Sequence, residues 1–215
     1  MTSMDGPFRD RSEAGARLAE LLAHLRSERP VVAGLPRGGV PVATEVARAL
    51  GAPLDVIVVR KLGVPAQPEL GMGAVGEAGV AVINSDVVAQ AGVSDRELAR
   101  IEVRERTLVA VRAGRYRAGR ERVPLVGRTV IIVDDGIATG STARAACQVA
   151  RAEEAARVVL AVPVAPPAWE LRLGAVADEH VTLATPEPFY AVGQFYRDFA
   201  AVTDDEVVLA LASSG

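Results

Sequence analysis

Apolar residues follow two rhythms along this chain. Short unbroken apolar runs alternate with stretches in which apolar residues return every three to four positions. Residues 12–26 show the second rhythm: Ala16, Leu18, Ala19, Leu21, Leu22 and Leu25 recur at helical spacing, and Ser12 is placed to cap the start. Val31-Val32-Ala33-Gly34-Leu35 is a short apolar run that stops at Pro36; it predicts a buried strand, with Pro36-Arg37-Gly38-Gly39 as the loop after it. Helical spacing resumes from Val40 to Leu50, and Gly51 ends it. Leu54 to Val59 predicts the next strand. Strand, loop, helix and strand make a βαβ unit, whose crossover is expected to be right-handed.

The segment from Arg60 to Gly79 is rich in glycine and proline and predicts a long loop, mobile over about 62–79. Val80 to Ile83 predicts a short strand. Ser94 to Tyr116 reads as a long charged helix, with Ser94 capping and Glu97 at the capping-box position. Arg115, Arg117, Arg120 and Arg122 then read as a solvated helix end. Thr129 to Val133 is a strand, Asp134 to Gly140 a loop and Ser141 to Glu154 a helix. Arg157 to Val162 is a strand closing at Pro163, Glu179 to Leu183 is a last core strand, and Asp204 to Leu211 is helical. No internal repeat is present. The pattern predicts one α/β domain over residues 1–215, with a doubly wound, mostly parallel sheet flanked by helices. Ligands of such sheets bind outside the carboxyl ends of the strands. The three loops that carry chemical groups, after Leu35, Val59 and Val133, all fall on that edge.

Composition narrows the function. A length of 215 residues suits one domain with a small lid, and 50% hydrophobic residues with only 4% aromatics point to an aliphatic core. A net charge of -3 gives no reason to expect nucleic acid or a membrane surface as partner. No charge-free apolar run approaches the roughly 18 residues that a membrane span needs. Residues 1–7 lack the apolar core of a signal peptide, and the single Cys147 excludes an internal disulfide framework, so a cytoplasmic location is expected. His24 and His180 have no zinc-type spacing. Of the 24 basic residues only Lys61 is a lysine, against 23 arginines; either one lysine remains by chance or, the favoured reading, the position serves a compact ammonium on a flexible stem.

The strongest chemical signal is Ile131 to Thr142. A buried strand delivers two adjacent carboxylates, Asp134 and Asp135, and a short loop follows, with Ser141 and Thr142 at a helix start. Unpaired N–H groups and the positive dipole end of a helix suit a phosphate. Gly140 lets the backbone come close, and Thr139, Ser141 and Thr142 add hydroxyl donors. Carboxylates accept hydrogen bonds, so they suit a diol or a hydrated metal and not the phosphate. The implied ligand has a phosphate at one end and hydroxyls a few ångströms away, as ribose 5-phosphate does. A P-loop needs a lysine before Ser141, and a dinucleotide fingerprint needs GxGxxG; neither is present.

Four aliphatic residues, two acids and a Thr-Gly-x-Thr loop make this run resemble the signature of type I phosphoribosyltransferases, closest to a little-characterised branch described only as predicted phosphoribosyltransferases. The resemblance extends over almost the whole chain and implies the fold of that family, with a small hood over the site. It implies that Asp134 and Asp135 hold the ribose 2′- and 3′-hydroxyls, and that Ala138, Thr139, Gly140, Ser141 and Thr142 cradle the 5′-phosphate. Gly34 to Gly39 resembles the family's pyrophosphate loop, which often contains a strained peptide; Pro36, Arg37 and Gly38 would bind the diphosphate, joined by Arg60 and Lys61. Leaving-group stabilisation, the main catalytic contribution expected, would fall to Arg37, Arg60 and Lys61. Mg²⁺ is the implied cofactor, carried largely by substrate oxygens and water, with Asp134 and Asp135 near it, in part through water.

The implied partners are phosphoribosyl diphosphate and a nitrogenous acceptor, and the implied reaction releases diphosphate. A homodimer is common in the fold. The alternative is a regulator or sensor that binds phosphoribosyl diphosphate or a nucleotide without turnover. Ala138 stands where several purine-salvage members carry an acid, which weakens a hypoxanthine or guanine assignment. No general base is identified; Glu69 and Glu77 read as exposed loop acids. The hood is expected from the N-terminal stretch and from about 185–215, where Phe189, Tyr190, Phe195 and Tyr196 either stack on a base or, as the better reading, pack the hood.

Overall fold

The computed structural model describes residues 7–65, 67–77 and 79–214. Its strands are β1 (Val31–Gly34), β2 (Leu54–Val56), β3 (Arg60–Val64), β4 (Gln67–Val75), β5 (Ala81–Ile83), β6 (Thr129–Val133), β7 (Arg157–Val164) and β8 (Glu179–Ala184). Its helices are α1 (Arg11–Leu21), α2 (Gly39–Leu50), α3 (Ser85–Gln90), α4 (Asp95–Arg117), α5 (Ser141–Ala152), α6 (Trp169–Leu173) and α7 (Asp204–Ala212).

Five strands form an all-parallel sheet in the order β2-β1-β6-β7-β8. The apolar runs read as buried strands because both sheet faces are covered. Val32, Ile131, Val133, Val159 and Ala161 face a core shared with α1, α2, α4 and α7. Their neighbours Val31, Ala33, Val130, Ile132, Val158 and Leu160 face a second core shared with α5 and α6. Strand order reverses between β1 and β6, so the crevice outside their carboxyl ends is the switch point where such sheets bind ligands. Among the described residues no helix is long and apolar enough to cross a membrane.

Several local expectations are corrected. The first helix begins at Arg11, and Asp10 rather than Ser12 caps it, its carboxylate accepting from the Glu13 N–H at 2.8 Å. That helix stops at Leu21, and residues 23–28 continue as a 3-10 turn. The second strand is shorter than predicted: the chain leaves the ladder after Val56, and the Val58 N–H donates to the Glu77 carboxylate at 3.3 Å.

The largest correction concerns the segment predicted as a loop over 62–79. Most of it is a three-stranded antiparallel ribbon in the order β3-β4-β5. Leu62, Val64, Met72, Ala74 and Val75 are buried in it, and the interleaved glycines hide the strand alternation in the sequence. The pairing is irregular between Leu62 and Val64.

Glu77 is not an exposed loop acid; it is buried, in an ion cluster at the base of the ribbon. Arg117 donates to Asp55 at 2.9 Å and also pairs with Glu77, and Arg122 reaches Glu153. The arginine run after α4 is therefore only partly a solvated end. Arg117 is buried, and Arg120 bonds the Leu211 carbonyl. The Glu69 side chain lies outside the described residues.

Candidate phosphoribosyl site

The loops after β1 and β6 meet at the switch point. The Leu35 N–H donates to the Val133 carbonyl at 2.8 Å, which fixes the two strand ends side by side. The Pro36–Arg37 peptide is cis. Beyond it the loop presses onto the acid pair: a Cβ at Gly38 would stand 2.1 Å from Asp135 Oδ2, and one at Gly39 would stand 2.5 Å from the Val133 carbonyl. Only glycine fits between these two loops.

Asp134 and Asp135 are half-buried at the end of β6. The Asp135 N–H donates to Asp134 Oδ1 at 2.9 Å, which turns the first carboxylate. Burial, and next the adjacent Asp135 charge, push the Asp134 carboxyl well above the usual carboxylate range. Burial also raises Asp135, against the opposing effect of Arg11. Two crowded acids at low dielectric are costly unless something cationic or hydrogen-donating meets them. A diol, or a cation with its water, is a suitable partner.

The start of α5 is suited to an anion. Gly140 adopts a left-handed conformation with φ 79°, which turns the chain into α5. Among the described residues no side chain caps this helix, so its first N–H groups remain available to an anion. Ala138 and Thr139 are exposed on the loop, and Thr139 Oγ1 lies 3.4 Å from Ser141 Oγ. Lys61, Thr139 and Ser141 line one cleft of about 670 Å³, so β3 borders the loop before α5 although 78 residues separate Lys61 from Thr139; Lys61 also lines a second cleft, beside Arg60 and Glu105. Thr142 is exposed on the first turn of α5.

Strand geometry separates Arg60 from this cleft. Neighbouring side chains on a strand point to opposite faces. Arg60 points toward α4, where it and Arg104 hold the buried Glu105. Burial acts to raise Glu105, but the hydrogen bonds from Arg104 and Arg60 outweigh it and hold this carboxyl below its ordinary range. Arg37 is exposed on its loop, its Nη1 3.8 Å from Asp204 Oδ1. Gly38 thus meets Asp135, Asp134 and Asp135 lead into the 138–142 loop, and Lys61 shares a cleft with Thr139 and Ser141, whereas Arg37 lies beside Asp204 and Arg60 is engaged by Glu105.

Residues 8–9 pair with residues 195–198, two of the stretches from which a hood is expected. Phe8 bridges to Tyr196, with the Phe8 N–H on the Phe195 carbonyl and the Arg197 N–H on the Phe8 carbonyl, both 2.8 Å. Phe195 and Tyr196 are buried and pack, as the bland reading of the tail aromatics expects, whereas Tyr190 is 83% exposed. The Tyr196 hydroxyl donates to the Asp135 carbonyl at 2.6 Å. Burial, and next Asp135, push its phenol far up, so it stays a neutral donor. Not all of 185–215 caps the site: α7 packs against α4, where the Tyr116 hydroxyl bonds Asp204 at 3.0 Å.

Sequence reasoning missed Arg11. Its Nε donates to Asp135 Oδ2 at 2.8 Å, its Nη1 donates to the Ala200 carbonyl at 2.9 Å, and its guanidinium lies 3.9 Å from the Phe199 ring centre. The partners of Arg11 lie 124 and 189 residues away, and no local signal links them.

A parallel sheet with an uncapped helix start, a crowded acid pair and a glycine-tight loop at its switch point defines a doubly wound α/β protein with a candidate ligand site at that edge. The chain belongs to the phosphoribosyl transferase domain family, whose model matches residues 10–199. Two Mycobacterium tuberculosis proteins provisionally named as phosphoribosyl transferases, from strains CDC 1551 / Oshkosh and H37Rv, are each 57% identical over 204 residues. Those matches take in 95% of this chain and 46% of the relatives, so the chain spans about half the length of the curated relatives it matches. The crystal structure of TT1426 from Thermus thermophilus is similar throughout, with 49% identity, a TM-score of 0.89, and coverage of 97% of this chain and 99% of that one.

Proposed function

We propose that the protein transfers ribose 5-phosphate from phosphoribosyl diphosphate to a nitrogenous base or amine and releases diphosphate. The observation that supports this reading is that the Asp134–Asp135 pair leads directly into the uncapped start of α5, where Thr139 and Ser141 share a cleft with Lys61. The 5′-phosphate binds at residues 138–142 and the ribose diol at the two acids. Pro36, Arg37, Gly38 and Lys61 serve the diphosphate, and Arg60 joins them only by leaving Glu105.

In the reaction the bond from C1 to the diphosphate oxygen breaks and its electron pair leaves with diphosphate. The acceptor nitrogen supplies the pair for the new bond from the opposite face and loses its proton to solvent. Arg37 and Lys61 stabilise the charge that develops on the leaving group, and the acid pair holds the sugar in place.

The donor set also suits Mg²⁺. Among the described residues no three His, Cys, Asp or Glu side chains gather into a metal cage, and hydrated magnesium bound through one or two carboxylates and a phosphorylated substrate needs none. Asp134 and Asp135 would hold it, in part through water, and the ion would supply charge neutralisation of the diphosphate.

The test is diphosphate release from phosphoribosyl diphosphate and Mg²⁺ against a panel of purine, pyrimidine and amine acceptors. Acceptor-dependent release is expected. Tight binding of phosphoribosyl diphosphate with no release for any acceptor would assign the protein to the sensor class instead.

A further inference from the structure

We infer that Arg11 is a positioning residue for ribose recognition, orienting the Asp135 carboxylate and tying it to the tail segment that roofs the site. This inference rests on the phosphoribosyl reading above and adds a residue from outside the sequence signature.

The Arg11 side chain is 11% exposed and that of Asp135 is 14% exposed, so their contact is largely shielded from water. An arginine is costly to bury, and this one is supported on three sides. Its Nε meets Asp135 Oδ2, its Nη1 meets the Ala200 carbonyl, and the Phe199 ring covers the guanidinium face at 3.9 Å. Asp135 Oδ2 is thereby committed: Arg11 takes it on one side and Gly38 closes against it on the other. The other carboxylate oxygen is left to meet a ligand. The backbone of the same residue is held as well, because the Tyr196 hydroxyl donates to the Asp135 carbonyl.

Arg11 also has an electrostatic effect. Asp134 and Asp135 place two like charges side by side. Arg11 supplies a fixed counter-charge that stays when the site is empty. A lysine cannot reproduce this, because only the planar guanidinium serves a carboxylate, a carbonyl and an aromatic face together. The Phe8–Tyr196 bridge and the Asp198 N–H on the Arg9 carbonyl bring residues 8–11 and 195–200 together, so Arg11 links this roof to the sugar-binding carboxylate.

The experiment compares ribose 5-phosphate with inorganic phosphate by titration calorimetry on the wild type, Arg11→Gly and Arg11→Lys. Phosphate reads the 138–142 loop alone, and ribose 5-phosphate reads the loop and the acids together. In Arg11→Gly the affinity for ribose 5-phosphate is expected to fall about tenfold to a hundredfold, the worth of one charge-assisted hydrogen bond, with phosphate affinity unchanged. Millimolar guanidinium, far below denaturing levels, restores the lost affinity. Arg11→Lys, which keeps the charge and protects the fold, shows a smaller but measurable loss that guanidinium does not repair.

Unchanged ribose 5-phosphate affinity in both variants would overturn the inference while leaving the phosphoribosyl reading intact. A parallel loss of phosphate binding and thermal stability would also overturn it, since Arg11 would then act only on the fold. If the wild type binds ribose 5-phosphate no better than phosphate, the phosphoribosyl reading itself fails.

Discussion

Gly38 and Asp135 are in direct contact: there is no room for a methyl group between the loop after β1 and the carboxylate after β6. Asp135 cannot swing aside freely, because Arg11 holds the same oxygen. Gly38→Ala must therefore displace either the loop or the acid. Since Gly38 has an ordinary backbone conformation (φ -61°), the cost falls on the site more than on folding. The affinity for ribose 5-phosphate is expected to drop about tenfold or more, and the melting temperature by less than about 5 °C. Calorimetric titration and thermal denaturation of the same variant check both halves.

Arg117 fastens the ribbon to the core. It is buried between Asp55 of β2 and Glu77, and Arg117→Met leaves both acids without their main partner. Removing one side of a buried ion pair typically costs about 3–5 kcal/mol, and a loss of that order is expected in urea denaturation. A loss below about 1 kcal/mol, typical of exposed pairs, would show that the cluster is solvated.

Lys61 borders the cleft that Thr139 and Ser141 line, so its role is expected at the diphosphate. Lys61→Ala is predicted to lower turnover with phosphoribosyl diphosphate by about a hundredfold or more, within the range for losing a group that stabilises developing charge. Binding of the nucleotide product, which lacks the diphosphate, changes much less. Steady-state kinetics beside product titration decide this, and equal losses count against the assignment.

These contacts also show where sequence reading succeeds and where it stops. β1, β6 and β7 are legible because a parallel strand buried on both faces must be apolar throughout, and the acids at Asp134 and Asp135 break that run abruptly. The ribbon is not legible: Gly71 and Gly73 interrupt the alternation that would reveal β4. Arg60 and Lys61 pair by adjacency in the sequence, but Arg60 is engaged by Glu105 and only Lys61 also borders the cleft at Thr139 and Ser141. Arg117 looks solvated in the sequence because Asp55 and Glu77 are 62 and 40 residues away. Arg11 is invisible for the same reason. Local chemistry marks the residues that touch a ligand, whereas the residues that hold them are set by distant chain segments.

The central claim is that the acid pair recognises the ribose of a phosphoribosyl ligand. Titration of phosphoribosyl diphosphate, with Mg²⁺, into the wild type and into a variant carrying Asp134→Asn and Asp135→Asn tests it most directly. The variant removes like-charge crowding but also takes the charged partner from Arg11, so it is expected to remain folded with some loss of thermal stability. Its affinity is expected to fall about a hundredfold or more, from the loss of two hydrogen bonds to charged acceptors. Equal affinity in the two proteins would contradict the account.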